Sequence, residues 1–295
     1  MAFVAVLTLS CSQAGTALAE PVFSAISVDP PRDNEHPAAM YQLGIPSHGS
    51  TMFGVFYRAS GVAAHPTVIL LHGLPGFEQN TDLAQSIRRA GWNVLIFHYR
   101  GAWGSGGTFS FAHCIEDLQA AIDYLRTPET TASLGVDPKR LVLIGTTLGG
   151  FLAAIGTANN PDVIGAALLS PWDPGVLAKP NELADQALLT DFRSDTGPLR
   201  GATAAGLFSE ARSHAAAWSL TKDDFRWGGR PLLITETDDF LGANDTDVAA
   251  AARKTRRATV TEAHFTTDHT YSDHRIALQT TILKWLAQFV RDPKP

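Results

Sequence analysis

Short apolar runs separated by helical repeats organise this chain from Pro66 onward. Val68-Ile69-Leu70-Leu71 is a continuous apolar run between Pro66 and Gly73, the pattern of a strand buried on both faces. Thr81 to Arg89 follows, with Leu83 and Ile87 one turn apart and Gly91 as a stop, and predicts a helix. Val94-Leu95-Ile96-Phe97 predicts the next strand. Ile115, Leu118, Ile122 and Leu125 then recur at helical spacing and close at Thr127-Pro128. Leu141-Val142-Leu143-Ile144 predicts a third buried strand that runs directly into Gly145. Val163 to Leu169, Leu232-Leu233-Ile234 and Ala258-Thr259-Val260 continue the series, and Ile276 to Val290 predicts a closing amphipathic helix. The residues around Tyr57 predict an antiparallel strand at the start.

This alternation predicts an α/β fold: a doubly wound, mostly parallel sheet with helices on both faces. The rhythm breaks between Trp172 and Gly229, where the chain is Ala-rich and helical in pattern at Asn181 to Leu189 and Thr203 to Trp218. An insertion of that length between two strands is rarely a bare loop. Residues of about 174–228 are therefore read as a helical lid over the strand ends, inserted in a single domain spanning 20–295. Trp172, Phe208, Trp218 and Trp227 are available to make a pocket beneath it apolar.

Charge and composition narrow the partners. A formal net charge of −6 with 18% charged residues provides no basic field, which argues against nucleic acid and anionic membranes. No apolar run reaches the roughly 20 residues that a bilayer span needs. Met1 to Leu9 is apolar, and Ala17-Leu18-Ala19 before Glu20-Pro21 has the small-x-small form of a cleavage site, although no Lys or Arg precedes Arg32. Residues 1–19 thus read as a signal peptide and the protein as exported, periplasmic or secreted; without cleavage it is cytoplasmic. Cys11 sits in a poor lipoprotein box. With residues 1–19 removed Cys114 is the lone cysteine, and its apolar setting reads as core filling.

In an open parallel sheet, ligands bind at the carboxyl ends of the strands. Four loops at those ends carry unusual residues. Gly145-Thr146-Thr147-Leu148-Gly149-Gly150 joins a strand to a helix; His72-Gly73-Leu74-Pro75-Gly76 follows the first buried strand. Thr237-Asp238-Asp239 follows the strand at Leu232, and Thr267-Asp268-His269-Thr270-Tyr271-Ser272-Asp273-His274-Arg275 precedes the closing helix. His264, His269 and His274 recur with carboxylates between them, but a spacing of five does not stack metal ligands on one helix face as i, i+4 does.

Together the four loops resemble the α/β-hydrolase superfamily, over roughly Pro66 to Val290. Gly145 to Gly149 is similar to its Gly-x-Ser-x-Gly nucleophile elbow, with Thr147 where Ser normally stands. The resemblance implies positive φ at Thr147, which a β-branched residue resists at about 1–3 kcal/mol. A threonine can still be a nucleophile when a base activates it. By the same resemblance the Leu74 and Leu148 amides form the oxyanion hole, Asp239 is the acid with Asp173 as its rival, and His269 is the base in preference to His274. His72 reads as a buried hydrogen-bonding residue, and Tyr99-Arg100-Gly101-Ala102-Trp103-Gly104-Ser105 as a structural loop in which Arg100 pairs. The implied function is hydrolysis of carboxylic ester, thioester or amide bonds in a small-molecule acyl substrate, through an acyl-enzyme and without a cofactor or metal. A catalytically impaired member that binds a small apolar ligand or a protein partner is the alternative, and the fold also admits other chemistry.

Overall fold

A computed structural model describes residues 24–62, 64–255 and 259–290. The expected signal peptide at residues 1–19, with Cys11, lies outside them. Eight strands form one sheet: β1 (Ala39–Ser47), β2 (Ser50–Arg58), β3 (His65–Leu71), β4 (Asn93–Phe97), β5 (Val136–Thr146), β6 (Val163–Leu169), β7 (Leu232–Thr237) and β8 (Val260–Phe265). Their spatial order is β1-β2-β4-β3-β5-β6-β7-β8. The pairs β1/β2 and β2/β4 are antiparallel and the rest are parallel.

The period of two along each buried strand divides the core between the faces. Ile69, Leu71, Leu141 and Leu143 point into one cluster, with Phe111, Leu118, Phe151 and Leu152. Val68, Leu70, Val142 and Ile144 point into the other, with Leu83, Ile87, Leu278 and Ile282. Helices α1 (Thr81–Arg89) and α8 (Arg275–Leu286) cover this second face. Helices α2 (Phe111–Arg126), α4 (Leu148–Asn159) and α7 (Gly242–Lys254) contribute to the first; the short α3 (Pro128–Leu134) leads into β5. The doubly wound fold is thus present, and Cys114 is a fully buried part of its core.

Several boundaries differ from the sequence reading. The last strand runs from Val260 to Phe265, past the expected Ala258-Thr259-Val260, of which Ala258 lies outside the described residues; this edge strand carries exposed Thr261, Glu262 and His264 rather than an apolar run. The closing helix ends at Leu286 and continues as a 3₁₀ turn over Ala287–Phe289. Strand β1 and helix α7 had no clear apolar signature. In the insertion, a 3₁₀ turn (Pro174–Ala178) precedes α5 (Glu182–Asp195) and α6 (Ala204–Trp218). Among the described residues no helix is long and apolar enough to cross a membrane.

Candidate active site

Between β3 and β5 the winding of the sheet reverses, and the crevice at such a point is where a ligand binds. Parallel register pairs Leu71 with Gly145, so His72-Gly73-Leu74 and Thr146-Thr147 leave the sheet side by side. The turn from β5 into α4 is tight enough to demand glycine. A Cβ on Gly145 would lie 2.0 Å from the Gly149 carbonyl oxygen, and one on Gly149 would lie 2.1 Å from that of Leu71.

Thr147 takes φ 55° and ψ −110°, the strained elbow conformation expected of it. Holding a β-branched residue there costs about 1–3 kcal/mol, and surrounding hydrogen bonds impose it. Its N–H donates to Leu169 O at 3.0 Å, and its carbonyl accepts from Phe151 N at 3.1 Å and Trp172 N at 3.0 Å. The neighbouring Thr146 hydroxyl accepts from Asn80 Nδ2 at 3.0 Å, and Asn80 Oδ1 accepts from Arg275 at 2.9 Å.

Across the crevice, a Cβ on Gly73 would lie 3.4 Å from Thr147 Cβ and 3.6 Å from its Oγ1, so the hydroxyl side of Thr147 abuts the Gly73-Leu74 loop. Trp103 Nε1 supports that loop by donating to Pro75 O at 2.6 Å. The amides of Leu74 and Leu148 enter no backbone hydrogen bond among the described residues, which leaves both N–H groups available to a ligand oxygen. Leu148 is the first residue of α4, so its amide also carries the positive end of the helix dipole.

His269 Nδ1 lies 3.4 Å from Asp239 Oδ2. Asp239 Oδ1 accepts from Leu241 N at 2.8 Å, while Asp239 Oδ2 is buried with no hydrogen-bond partner of its own among the described residues. The Phe240 ring meets the His269 imidazole edge-on at 5.4 Å. Thr147 and His269 line one cavity, and no hydrogen bond joins their side chains among the described residues.

The rival residues are occupied elsewhere. Asp173 accepts from Gly175 N (2.8 Å), Leu220 N (2.9 Å), Thr221 Oγ1 (3.0 Å) and Ser219 Oγ (3.3 Å). It clasps the beginning of the insertion to its end and has no free face for a histidine. His274 pairs with Asp273 at 2.9 Å, and His264 with Asp238 at 2.9 Å. The three histidines thus each face a different carboxylate. His72 is buried, and its Nδ1–H donates to Gly73 O at 2.8 Å. Burial lowers its pKa to about 4, with His98 nearby acting in the same direction, so it stays neutral. Arg100 pairs with Asp117 at 2.6 Å and with Glu116, as the structural reading of its loop required.

The cavity over Thr147 has a volume of about 640 Å³, within the range of small-molecule sites. Leu74, Phe77, Phe111, Leu188, Phe192 and Phe240 give it apolar walls, and Glu78, Asp191 and Asp195 are its acidic members. Of the four aromatic residues expected to line it, Trp172 does so; Phe208 and Trp218 pack against the core, and Trp227 is buried within it. Phe192 was missed because it is the one buried residue of α5, whose other positions give no stripe. Phe111 lies four residues before the first of the periodic positions that marked its helix, Ile115, and carried no signal of its own.

Comparison with known proteins settles the family. Residues 66–283 match the family described as alpha/beta hydrolase fold. The chain belongs to it. This α/β-hydrolase is similar to the alpha/beta hydrolase domain-containing protein WAV2 of Arabidopsis thaliana, 37% identical over 28% of this chain and 25% of that protein. It is also similar to the quorum-quenching protein AidA of Acinetobacter baumannii, 28% identical over 48% of this chain and 47% of AidA. The chain thus matches a quarter to about half of the length of these curated relatives. An esterase of the archaeon Pyrobaculum calidifontis shares the fold, with a TM-score of 0.61 and 17% identity over 93% of this α/β-hydrolase and 91% of the esterase.

Proposed function

We propose that this α/β-hydrolase cleaves carboxylic ester bonds, or related thioester or amide bonds, of a small acyl substrate through an acyl-enzyme on Thr147. The observation that carries this reading is the strained elbow. A β-branched residue is held at φ 55° in the cavity that His269 also lines, with Asp239 behind the imidazole. Such strain persists where the surroundings over-determine it, and it concentrates at functional sites.

In the mechanism, His269 takes the Thr147 proton as the hydroxyl attacks the acyl carbon, and Asp239 orients the imidazole through Nδ1. The Leu74 and Leu148 amides stabilise the developing oxyanion. His269 then protonates the leaving alkoxide, thiolate or amine. Water, deprotonated by the same histidine, releases the acid and restores the Thr147 hydroxyl. The apolar walls suit an apolar acyl or alkyl group. Structural neighbours such as the Pyrobaculum enzyme are esterases, which accords with this reading.

A second reading retains the cavity but not the turnover: the Thr147 γ-methyl blocks attack and the protein binds its ligand unchanged. Steady-state hydrolysis of p-nitrophenyl butyrate separates the two. His269→Ala should lower kcat by about 10³-fold and Asp239→Asn by about 10²–10⁴-fold, whereas Asp238→Asn should stay within about twofold. Equal activity in the His269→Ala and native proteins would remove the acyl-enzyme mechanism.

A further inference from the structure

Asp239 and His269 sit on separate loops, and something must hold them at 3.4 Å. The His269 loop is internally tight. Asp268 Oδ1 accepts from Thr270 N (3.0 Å), Ser272 N (3.0 Å) and Thr270 Oγ1 (2.7 Å), and Tyr271 N donates to Asp268 O at 2.9 Å. These bonds shape the turn but do not fasten it to the acid. The fully buried member of the turn is Tyr271, held at φ 58° with its side chain directed into the ends of the strands.

There its hydroxyl meets Ser170 Oγ at 3.0 Å and Thr235 Oγ1. Ser170 Oγ also meets Thr237 Oγ1 at 3.1 Å, and Ser170 N donates to Thr235 O at 3.1 Å. Thr235 and Thr237 alternate along β7, so both side chains leave the same face of the strand. Ser170, Thr235 and Thr237 are all buried. The chain of hydroxyls begins two residues after His269 and ends two residues before Asp239. It therefore spans the gap between the two loops. Burial raises the phenol pKa, so Tyr271 remains a neutral donor.

We propose that Tyr271 is a positioning residue: its hydroxyl, bonded to Ser170 and Thr235 and through Ser170 to Thr237, sets the spacing of Asp239 and His269. The proposal rests on the reading of that pair as acid and base. Without the hydroxyl the ring still fills its place against Phe265 and β8 still pairs with β7 as far as Phe265, but the His269 turn loses its side-chain tie to β7. A misplacement of about 1 Å in a catalytic group costs up to about 10²-fold in rate.

The test is Tyr271→Phe, read by ester kinetics and by the NMR resonance of the His269 imidazole proton that faces Asp239, assigned by its shift in Asp239→Asn. The expected result is a kcat about tenfold lower or more at unchanged KM, with that resonance weakened or lost. Ile282→Val, a core change on α8 away from these loops, serves as a control. It should lower Tm while leaving both readouts at native values. Tyr271→Phe acting in the same way, on Tm alone, overturns the proposal. If neither the native protein nor Thr147→Ser hydrolyses any ester, that failure falls on the hydrolase reading. The resonance then decides alone: perturbed in Tyr271→Phe it supports the positioning role, and unchanged it refutes it.

Discussion

Thr147→Ala should reduce ester turnover by about 10³-fold or more, while Thr147→Ser should raise it above the native rate. The alanine variant keeps the elbow backbone, the cavity and the His269–Asp239 pair but has no attacking oxygen. The serine variant keeps the oxygen and removes the γ-methyl, which changes two things at once. A residue without β-branching relieves part of the roughly 1–3 kcal/mol of strain at φ 55°, and the approach of the acyl carbon is less crowded. The serine form should therefore also resist denaturant better, by about 1 kcal/mol. kcat/KM for p-nitrophenyl butyrate and the urea midpoint of the three proteins measure both effects. Activity confined to the serine form would favour the binding reading, because one methyl group would then idle an otherwise complete site.

A second large effect concerns stability rather than rate. Asp245 is fully buried in the first turn of α7, and among the described residues neither of its carboxyl oxygens has a hydrogen-bond partner within normal geometry. Burial, reinforced by the negative charge of nearby Asp239, raises its pKa to about 8. An unfolded aspartate titrates near 3.9. Between those values the folded protein keeps a proton that the unfolded chain releases. Its stability must therefore fall as pH rises from about 4 towards 8. At about 1.4 kcal/mol per pH unit, the fall attributable to this one group reaches on the order of 4 kcal/mol between pH 4 and 7. Asp245→Asn carries no titrating group and should lose that slope. The difference between its unfolding free energy and the native value should widen steadily with pH. Parallel curves for the two proteins would mean that Asp245 is ionised in the folded state.

Much of the architecture was legible because it rests on strong local patterns. Leu141 to Ile144 runs apolar without a break because β5 is buried on both faces, and Gly145 and Gly149 have no room for a side chain. Strand β1 was not legible, since it fully buries only Ile45 and Ser47, exposes Met40, and contains Gly44 and Pro46. Helix α7 was equally silent: its core contacts come from Val248 and small alanines, and its first turn buries an aspartate. The candidate site divides in the same way. Thr147 was marked by its glycine frame. The acid was marked by resemblance alone, which put Asp239 ahead of Asp238 and Asp173; as residue types the three loop carboxylates look alike until the fold gives each a partner. The cavity walls were least legible of all. Phe111 and Phe192 come from distant segments that no sequence pattern connects, and they meet over Thr147 as a result of the winding of the chain.

Thr147 is expected to form the covalent intermediate. The most direct test is to treat the native protein with a fluorophosphonate, measure the intact mass and map the labelled peptide. A single adduct on Thr147 is expected, absent from Thr147→Ala and strongly slowed in His269→Ala. An adduct on any other residue, or one that persists in Thr147→Ala, would contradict it.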